Sequence, residues 1–481
     1  MTEDNAPIIY WFRQDLRLSD LPALNAAVTT GRPVLPIYVL DNPAAGDWAL
    51  GGASRWWLHQ SLTALSADIR NAGGELVVCA GDTQAILAEL AAATGATAIY
   101  CSRGYEPWAA ALERRLHDTF DGDIEFRRFG GNLLFEPEQI ANQSGLPFKV
   151  FTPFWKSCLR QPAPRPPRPS VEQGFYNGAQ PTLHTADAQG LEALELLPTK
   201  PNWAEGWETL WQPGEAGAAQ RLARFLDSAV SDYDEGRDQP ALAVTSQLSP
   251  HIHHGEISPR QIWHAAQNCG KQVSKFLSEL GWREFSYHLL HHFPSIPDTA
   301  FKAQFSQFPW LGNPEHLKAW QQGQTGYPLV DAGMRELWQT GFMHNRVRMV
   351  VASFLTKHLL LPWQAGEAWF WDCLVDADLA SNSCSWQWVA GSGADAAPYF
   401  RIFNPTAQGE KFDKAGEYVR RWVPELAALP DKYLHEPAAA PDKVLVEAGI
   451  VLGKDYPHPL VDHKTARQAA LDAYQAIRQT A

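Results

Sequence analysis

Short apolar runs punctuate the start of the chain, at Ile8–Phe12, Val34–Leu40, Glu75–Cys79 and Ala98–Cys101. Between them lie Leu21–Val28, Trp57–Ile69 and Thr83–Ala93, where Ala and Leu recur at helical spacing. Strand then helix, repeated, predicts a parallel sheet with helices on both faces over residues 1–135. Suitable breakers close the segments: Asn71-Ala72-Gly73-Gly74 precedes one run and Gly81-Asp82 follows it.

The pattern then changes. Gln161–Pro169 reads Gln-Pro-Ala-Pro-Arg-Pro-Pro-Arg-Pro. Proline removes backbone donors and fixes φ, so this stretch is neither helix nor inner strand. It belongs to a connector, assigned here to 136–202, with few periodic segments. From Trp203 to the end the spacing is helical, at Ala218–Val230, Pro259–Asn268, Lys271–His291, Met334–Gln339, Asn345–His358 and Gly366–Leu374. The prediction is an α/β domain (1–135), a connector (136–202) and an all-α domain (203–481), without internal repeats.

Composition adds limits. The 481 residues include 20 Trp, are 45% hydrophobic and 19% charged, and can therefore bury large cores. Forty basic against 53 acidic residues give a net charge of −13, which excludes a protein basic all over but not a local basic patch. Six scattered cysteines (Cys79, Cys101, Cys158, Cys269, Cys373, Cys384) include no CxxC pair, which predicts reduced thiols and a cytoplasmic protein. No apolar run approaches the roughly 20 residues that span a membrane. The Met-Thr-Glu-Asp-Asn start lacks the parts of a signal peptide.

Standard catalytic templates are missing: no GxGxxG after a strand, no GxxxxGK[ST], no HExxH and no GxSxG. His251, His253, His254 and Glu256 crowd together without a standard metal-ligand spacing. Three helical stretches carry unusual polar and aromatic groups. Glu279, Trp282 and Arg283 share a face, readable as a surface Glu–Arg pair beside a core Trp. Asn345, Arg348 and Met349 share another, readable as a basic helix edge. Asp378, Asn382 and Trp386 recur every four residues, which puts a carboxylate, an amide and an indole on one face. Buried Asp and Asn need partners. These are either a ligand rimmed with donors and acceptors, or protein groups such as an Asp376–Arg348 pair.

Trp11–Arg17, Thr245–Pro250, Gly281–Phe285, Thr325–Arg335, Met343–Met349, Trp386-Gln387-Trp388 and Arg401–Pro405 resemble, in order, the photolyase/cryptochrome flavoproteins. The resemblance implies an N-terminal α/β antenna domain and a C-terminal helical FAD-binding domain. It implies blue-light-driven repair of cyclobutane pyrimidine dimers in DNA, by electron transfer from FAD that is active as the reduced anion. By resemblance, Tyr233, Thr245, Ser246, Gln247, Leu248 and Ser249 hold the FAD diphosphate and ribose. Arg348 and Asp376 pair beside the flavin, with Ala377 and Asn345 adjoining, Asp378 contacts the isoalloxazine edge and Asn382 faces its reactive nitrogen. A neutral amide suits that place, because a carboxylate repels the anion. Glu279 would bond the flipped-out dimer, Trp282, Trp388, Met349 and Asn345 would contact it, and Arg237, Arg283, Arg346 and Arg401 would hold phosphates. Trp386, Trp363 and Trp310 match the family's electron-carrying tryptophan chain.

Within the family, Gly52–Leu58 and Phe370–Leu379 are similar to plant cryptochromes, blue-light photoreceptors. Those photoreceptors typically carry Asp where Asn345 and Asn382 stand, lack a match to Trp282, and extend in a long tail where this chain ends at Ala481. The (6-4) photolyases carry a His pair near Asn345–Met349, which reads Asn-Arg-Val-Arg-Met. The expectation is a monomeric dimer-repair enzyme of the bacterial class III group. Its antenna pigment would be methenyltetrahydrofolate or a deazaflavin, with Glu106 and Trp108 as candidate contacts in Tyr105–Trp108.

Overall fold

The computed structural model describes residues 6–120, 122, 124–396 and 400–479; the first five residues, read above for a leader, lie outside them. The chain forms two compact units. The first comprises Met1–Ser231, Ser246–Pro294 and Val375–Asp378; the second comprises Asp232–Thr245, Ser295–Leu374 and Leu379–Ala481. The boundaries 135/136 and 202/203 both fall inside the first unit.

The first unit is built on a six-stranded sheet: β1 (Ile8–Phe12), β2 (Val34–Leu40), β3 (Val77–Ala80), β4 (Ala98–Ser102), β5 (Glu125–Phe129) and β6 (Ala188–Gln189), in the order β5-β4-β1-β2-β3-β6. β1 to β5 pair in parallel, with Ile8 beside both Val34 and Ala98. Alternate residues feed two cores. Ile8, Tyr10, Phe12, Val34 and Tyr38 pack with Leu24, Leu62 and Ile69 on one face; Ile9, Trp11, Leu35, Ile37 and Val39 pack with Ile86, Leu87 and Leu112 on the other. Burial on both faces explains why the inner strands read as unbroken apolar runs.

Two strands escaped the pattern. β5 is Glu-Phe-Arg-Arg-Phe with both arginines exposed, an edge strand with little apolar signal. β6 lies in the predicted connector and pairs antiparallel to β3, so the sheet is parallel except at that edge. The connector is tied to the sheet elsewhere too, since Phe175 bridges Val34 and Val171 N–H donates to Leu18 O (3.3 Å). It also holds the helix Phe151–Cys158.

The predicted helices are found with small shifts. Pro259–Asn268 matches at both ends, with a Ser258–Gln261 capping box and Pro at its first turn. Two stretches read as single helices end in wide turns instead, at Phe225–Ala229 and Phe354–His358. A helix beginning at Leu379 corrects the predicted face of Asp378, Asn382 and Trp386: only Asn382 and Trp386 are helical, and Asp378 precedes the first turn. Among the described residues, the second unit's regular elements are helices, including Asn345–Ser353, Trp363–Cys373 and Leu379–Ala390, joined by loops, one of which holds an isolated Leu452–Tyr456 bridge. No helix among the described residues is long and apolar enough to cross a membrane.

Candidate functional site

In the first unit, Val375–Asp378 lies against the turn that starts the short helix Ser249–His253. Ser249 Oγ donates to Asp376 Oδ2 (2.6 Å), and His254 Nε2 lies 3.3 Å from Val375 O. Gln247 adopts a left-handed φ of 49° with its side chain fixed by Arg221 (2.6 Å), so the Ser246–Leu248 turn is held in a conformation that only surrounding contacts can maintain. Asp378 accepts from Tyr287 Oη and lies 3.6 Å from His253 Nδ1. Burial alone would raise its pKa. His253, followed by Arg283 and Tyr287, outweighs burial and keeps the carboxyl well below the usual range, hence ionised. Asp376 and Asp378 are buried, with 8% exposure each.

The three histidines, crowded in sequence, have separate tasks. His251 Nδ1 meets Glu256, His253 supports Asp378, and His254 meets Val375 O.

The helix Ser274–His292 carries Glu279, Trp282 and Arg283, and the two charged residues among these turn to different partners. Glu279 lies 3.6 Å from Lys275, whereas Arg283 turns inward, donating to Asn132 O (2.9 Å) with its guanidinium 4.6 Å from the Tyr287 ring. Both hydrogen bonds of Arg283, to Asn132 O and to Glu284 (3.4 Å), are made from Nη1. Beside it, Glu284 accepts from Leu134 and Phe135 N–H, and burial pushes its carboxyl up to about 7. Glu106 is buried and accepts from Tyr105 N–H, and Trp108 is half-buried.

In the second unit, Asn382 donates from Nδ2 to Glu367 O (3.1 Å). Its carbonyl oxygen is then the group left for a ligand N–H. Ser383 Oγ donates to the Glu367 carboxyl, whose other oxygen is buried without a hydrogen-bond partner. Burial raises this carboxyl to about 8, partly offset by Ser383. A carboxyl whose pKa is raised from 4.5 to about 8 by folding contributes its full stability below pH 4.5, loses it progressively as pH climbs from there to about 8, and changes nothing above. Thermal melting points should therefore decline between about pH 5 and 8 and level off above, and Glu367→Gln should flatten that decline. Equal slopes in parent and variant would assign the loss to another group.

Trp386 and Trp363 are buried to 2% and 1%, and Trp310 is half-buried against Phe308 (4.3 Å between centroids). Gly366 is required by Trp386, because a Cβ there would come within 2.1 Å of the indole. Arg237 stacks over Tyr233 (5.4 Å), and Arg348 Nε donates to Met343 O (2.7 Å). Thr245 is half-buried and Asn345 is exposed at the first turn of its helix. Arg346 reaches Asp238 (2.9 Å), lies over Phe412 (4.5 Å) and approaches Met349 Sδ (3.8 Å). With Arg401, Lys411 and Lys414 it lines an open cleft. Lys411 and Lys414 were not picked out by sequence, since isolated lysines carry no spacing signal. Trp388 is half-buried and lines a smaller chamber with Lys357, Phe400 and Arg401. Lys357 donates to Arg401 O, and burial pulls its pKa down to about 7.

The chain thus joins a sheet covered by helices on both faces to a helical unit that buries Trp363, Trp386, Glu367 and Asn382. Residues 8–170 match the family described as DNA photolyase, and 276–476 match the FAD binding domain of DNA photolyase. The chain belongs to the photolyase/cryptochrome family. It is 49% identical to a deoxyribodipyrimidine photo-lyase of Agrobacterium fabrum, over all of both chains. Cryptochrome-1 of Arabidopsis thaliana is 38% identical, over 98% of this chain and 70% of the relative. The crystal structure of a bacterial class III photolyase from Agrobacterium tumefaciens superimposes with a TM-score of 0.95 at 49% identity, covering 99% of this chain and 98% of that one. These matches place the chain with the DNA-repair enzymes of the family.

Proposed function

We propose that the protein repairs cyclobutane pyrimidine dimers in DNA under blue light. The observation that carries this reading is Asn382, an amide bonded through Nδ2 to Glu367 O beside a carboxyl that burial keeps protonated at neutral pH. A neutral amide in that place, in contrast to a carboxylate, suits a reduced, anionic flavin. Bound FAD would supply the electron that splits the dimer's two ring bonds, and would receive it back.

The residues supply the setting. Ser246, Gln247, Leu248 and Ser249, with Tyr233 and Thr245, would hold the diphosphate and ribose, and Arg348, Asp376, Ala377 and Asp378 the flavin. Glu279 would bond the dimer, with Trp282, Trp388, Met349 and Asn345 against its faces. Trp386, Trp363 and Trp310 would carry electrons outward, in keeping with two fully buried indoles and one half-buried. Arg237, Arg283, Arg346 and Arg401 would hold phosphates, joined by Lys411 and Lys414. The antenna pigment would be methenyltetrahydrofolate or a deazaflavin, and the working form a monomer.

Repair is tested by incubating reduced protein with dimer-containing DNA in light and darkness. Light-dependent loss of dimers is expected; equal counts in both arms would refute the reading. Binding should weaken with salt, and Arg401→Ala should lower the slope of log affinity against log salt by about 1 without changing lesion preference. An unchanged slope would remove Arg401 from the phosphate contacts.

A further inference from the structure

Trp282 is held by a close parallel ring stack. Its ring lies parallel to Phe151, with centroids 3.9 Å apart and planes 11° apart. Trp155, one helical turn from Phe151, is also parallel to it, at 6.4 Å and 12°. Phe285 closes the group edge-on, at 75° to Trp282 and 67° to Phe151. Trp155 reaches its place because residue 281 is glycine: a Cβ there would lie 2.7 Å from the Trp155 indole. Indole–indole pairs of the same unit pack edge-on, although Trp57 also lies parallel to His254 at 5.9 Å and 16°. Trp56–Trp57, Trp56–Trp207 and Trp57–Trp211 cross at 70°, 79° and 63°. Edge-on packing is an ordinary core arrangement. A parallel stack on a half-buried indole does something further, since it covers one ring face and sets the plane of the other.

Resting on the repair reading above, we propose that Phe151 is a positioning residue for lesion recognition. It backs the indole of Trp282 and Trp155 backs Phe151, so that one face of Trp282 is presented at a fixed tilt to the apolar face of the dimer. Without the ring beneath it, Trp282 regains rotameric freedom that the dimer must remove on binding. The consequence is selective: recognition of the dimer weakens, while phosphate contacts, made elsewhere, do not change.

The test compares dimer-containing and undamaged DNA. Phe151→Leu keeps an apolar group but no ring, and should weaken dimer binding roughly three- to ten-fold, the range of an aromatic pair. Binding to undamaged DNA should stay the same, as should repair per absorbed photon at saturating DNA. Phe151→Tyr should restore dimer affinity. Gly281→Ala displaces Trp155 and should give the same selective loss, so it carries the test if Phe151→Leu fails to fold. Parent-like dimer affinity in Phe151→Leu or in a folded Gly281→Ala, with Trp282→Ala weakened, overturns the proposal while leaving the repair reading intact. Equal loss on both DNAs overturns it as well. If Trp282→Ala itself binds dimers as the parent does, the lesion role of Trp282 fails, and the proposal falls with it.

Discussion

Asn382→Asp is expected to lower the midpoint potential of bound FAD and weaken the hold on its reduced form by up to about a thousandfold. The amide that now donates to Glu367 O would be replaced by an oxygen facing an oxygen. Asn382 is only 8% exposed, so an ionised carboxylate there has little water to compensate it. A like charge about 4 Å away at an effective dielectric near 20 costs about 4 kcal/mol, or roughly three powers of ten. Protonation of the new carboxyl relieves part of this at low pH, so the effect should grow as pH rises. Oxidised FAD should still bind. A redox titration of the parent and variant proteins decides the point: an unchanged midpoint potential would mean that Asn382 does not sense flavin charge.

The second large effect concerns stability. Glu256 is fully buried, and its Oε1 accepts from Trp57 Nε1 (3.0 Å), Gly214 N–H (2.7 Å) and Ser61 Oγ, while Oε2 meets His251. One carboxylate thereby ties the helix Gly52–Asn71, the segment entering Glu215–Arg224, and the Ser249–His253 turn within the first unit. Glu256→Ala leaves those donors buried without an acceptor. Removing one partner of such a network costs about 3–5 kcal/mol. The melting point should fall by about 10 °C, at 2–4 °C per kcal/mol. Glu256→Gln keeps an acceptor oxygen and should lose less. A melting point within about 2 °C of the parent would show that water or rearrangement satisfies the donors after Glu256→Ala.

Much of this was legible in the chain. Inner strands buried on both faces announce themselves as apolar runs, and the helix Pro259–Asn268 carries its own cap and proline at the start. The family was legible too, because its motifs recur in order from Trp11 to Pro405. Trp282, Asn382 and Trp386 stand out as residue types that need a reason to be where they are.

Tertiary structure decided what those residues touch. Spacing by four put Asp378 on a helical face with Asn382, yet the helix begins one residue later, and Asp378 belongs with Tyr287 and His253. Spacing likewise joined Glu279 to Arg283, whereas Arg283 turns to Asn132 O, 151 positions away in sequence. β5 and β6 are edge strands, stabilised by one neighbour's ladder more than by their own apolar content. Nothing near Trp282 in sequence announces Phe151 beneath its ring. The physical reason is common to all four. Periodicity records which side of an element is buried, because burial follows a local repeat. Hydrogen bonds, ring stacks and pKa shifts depend on partners brought close by the fold, and their sequence separation follows no repeat.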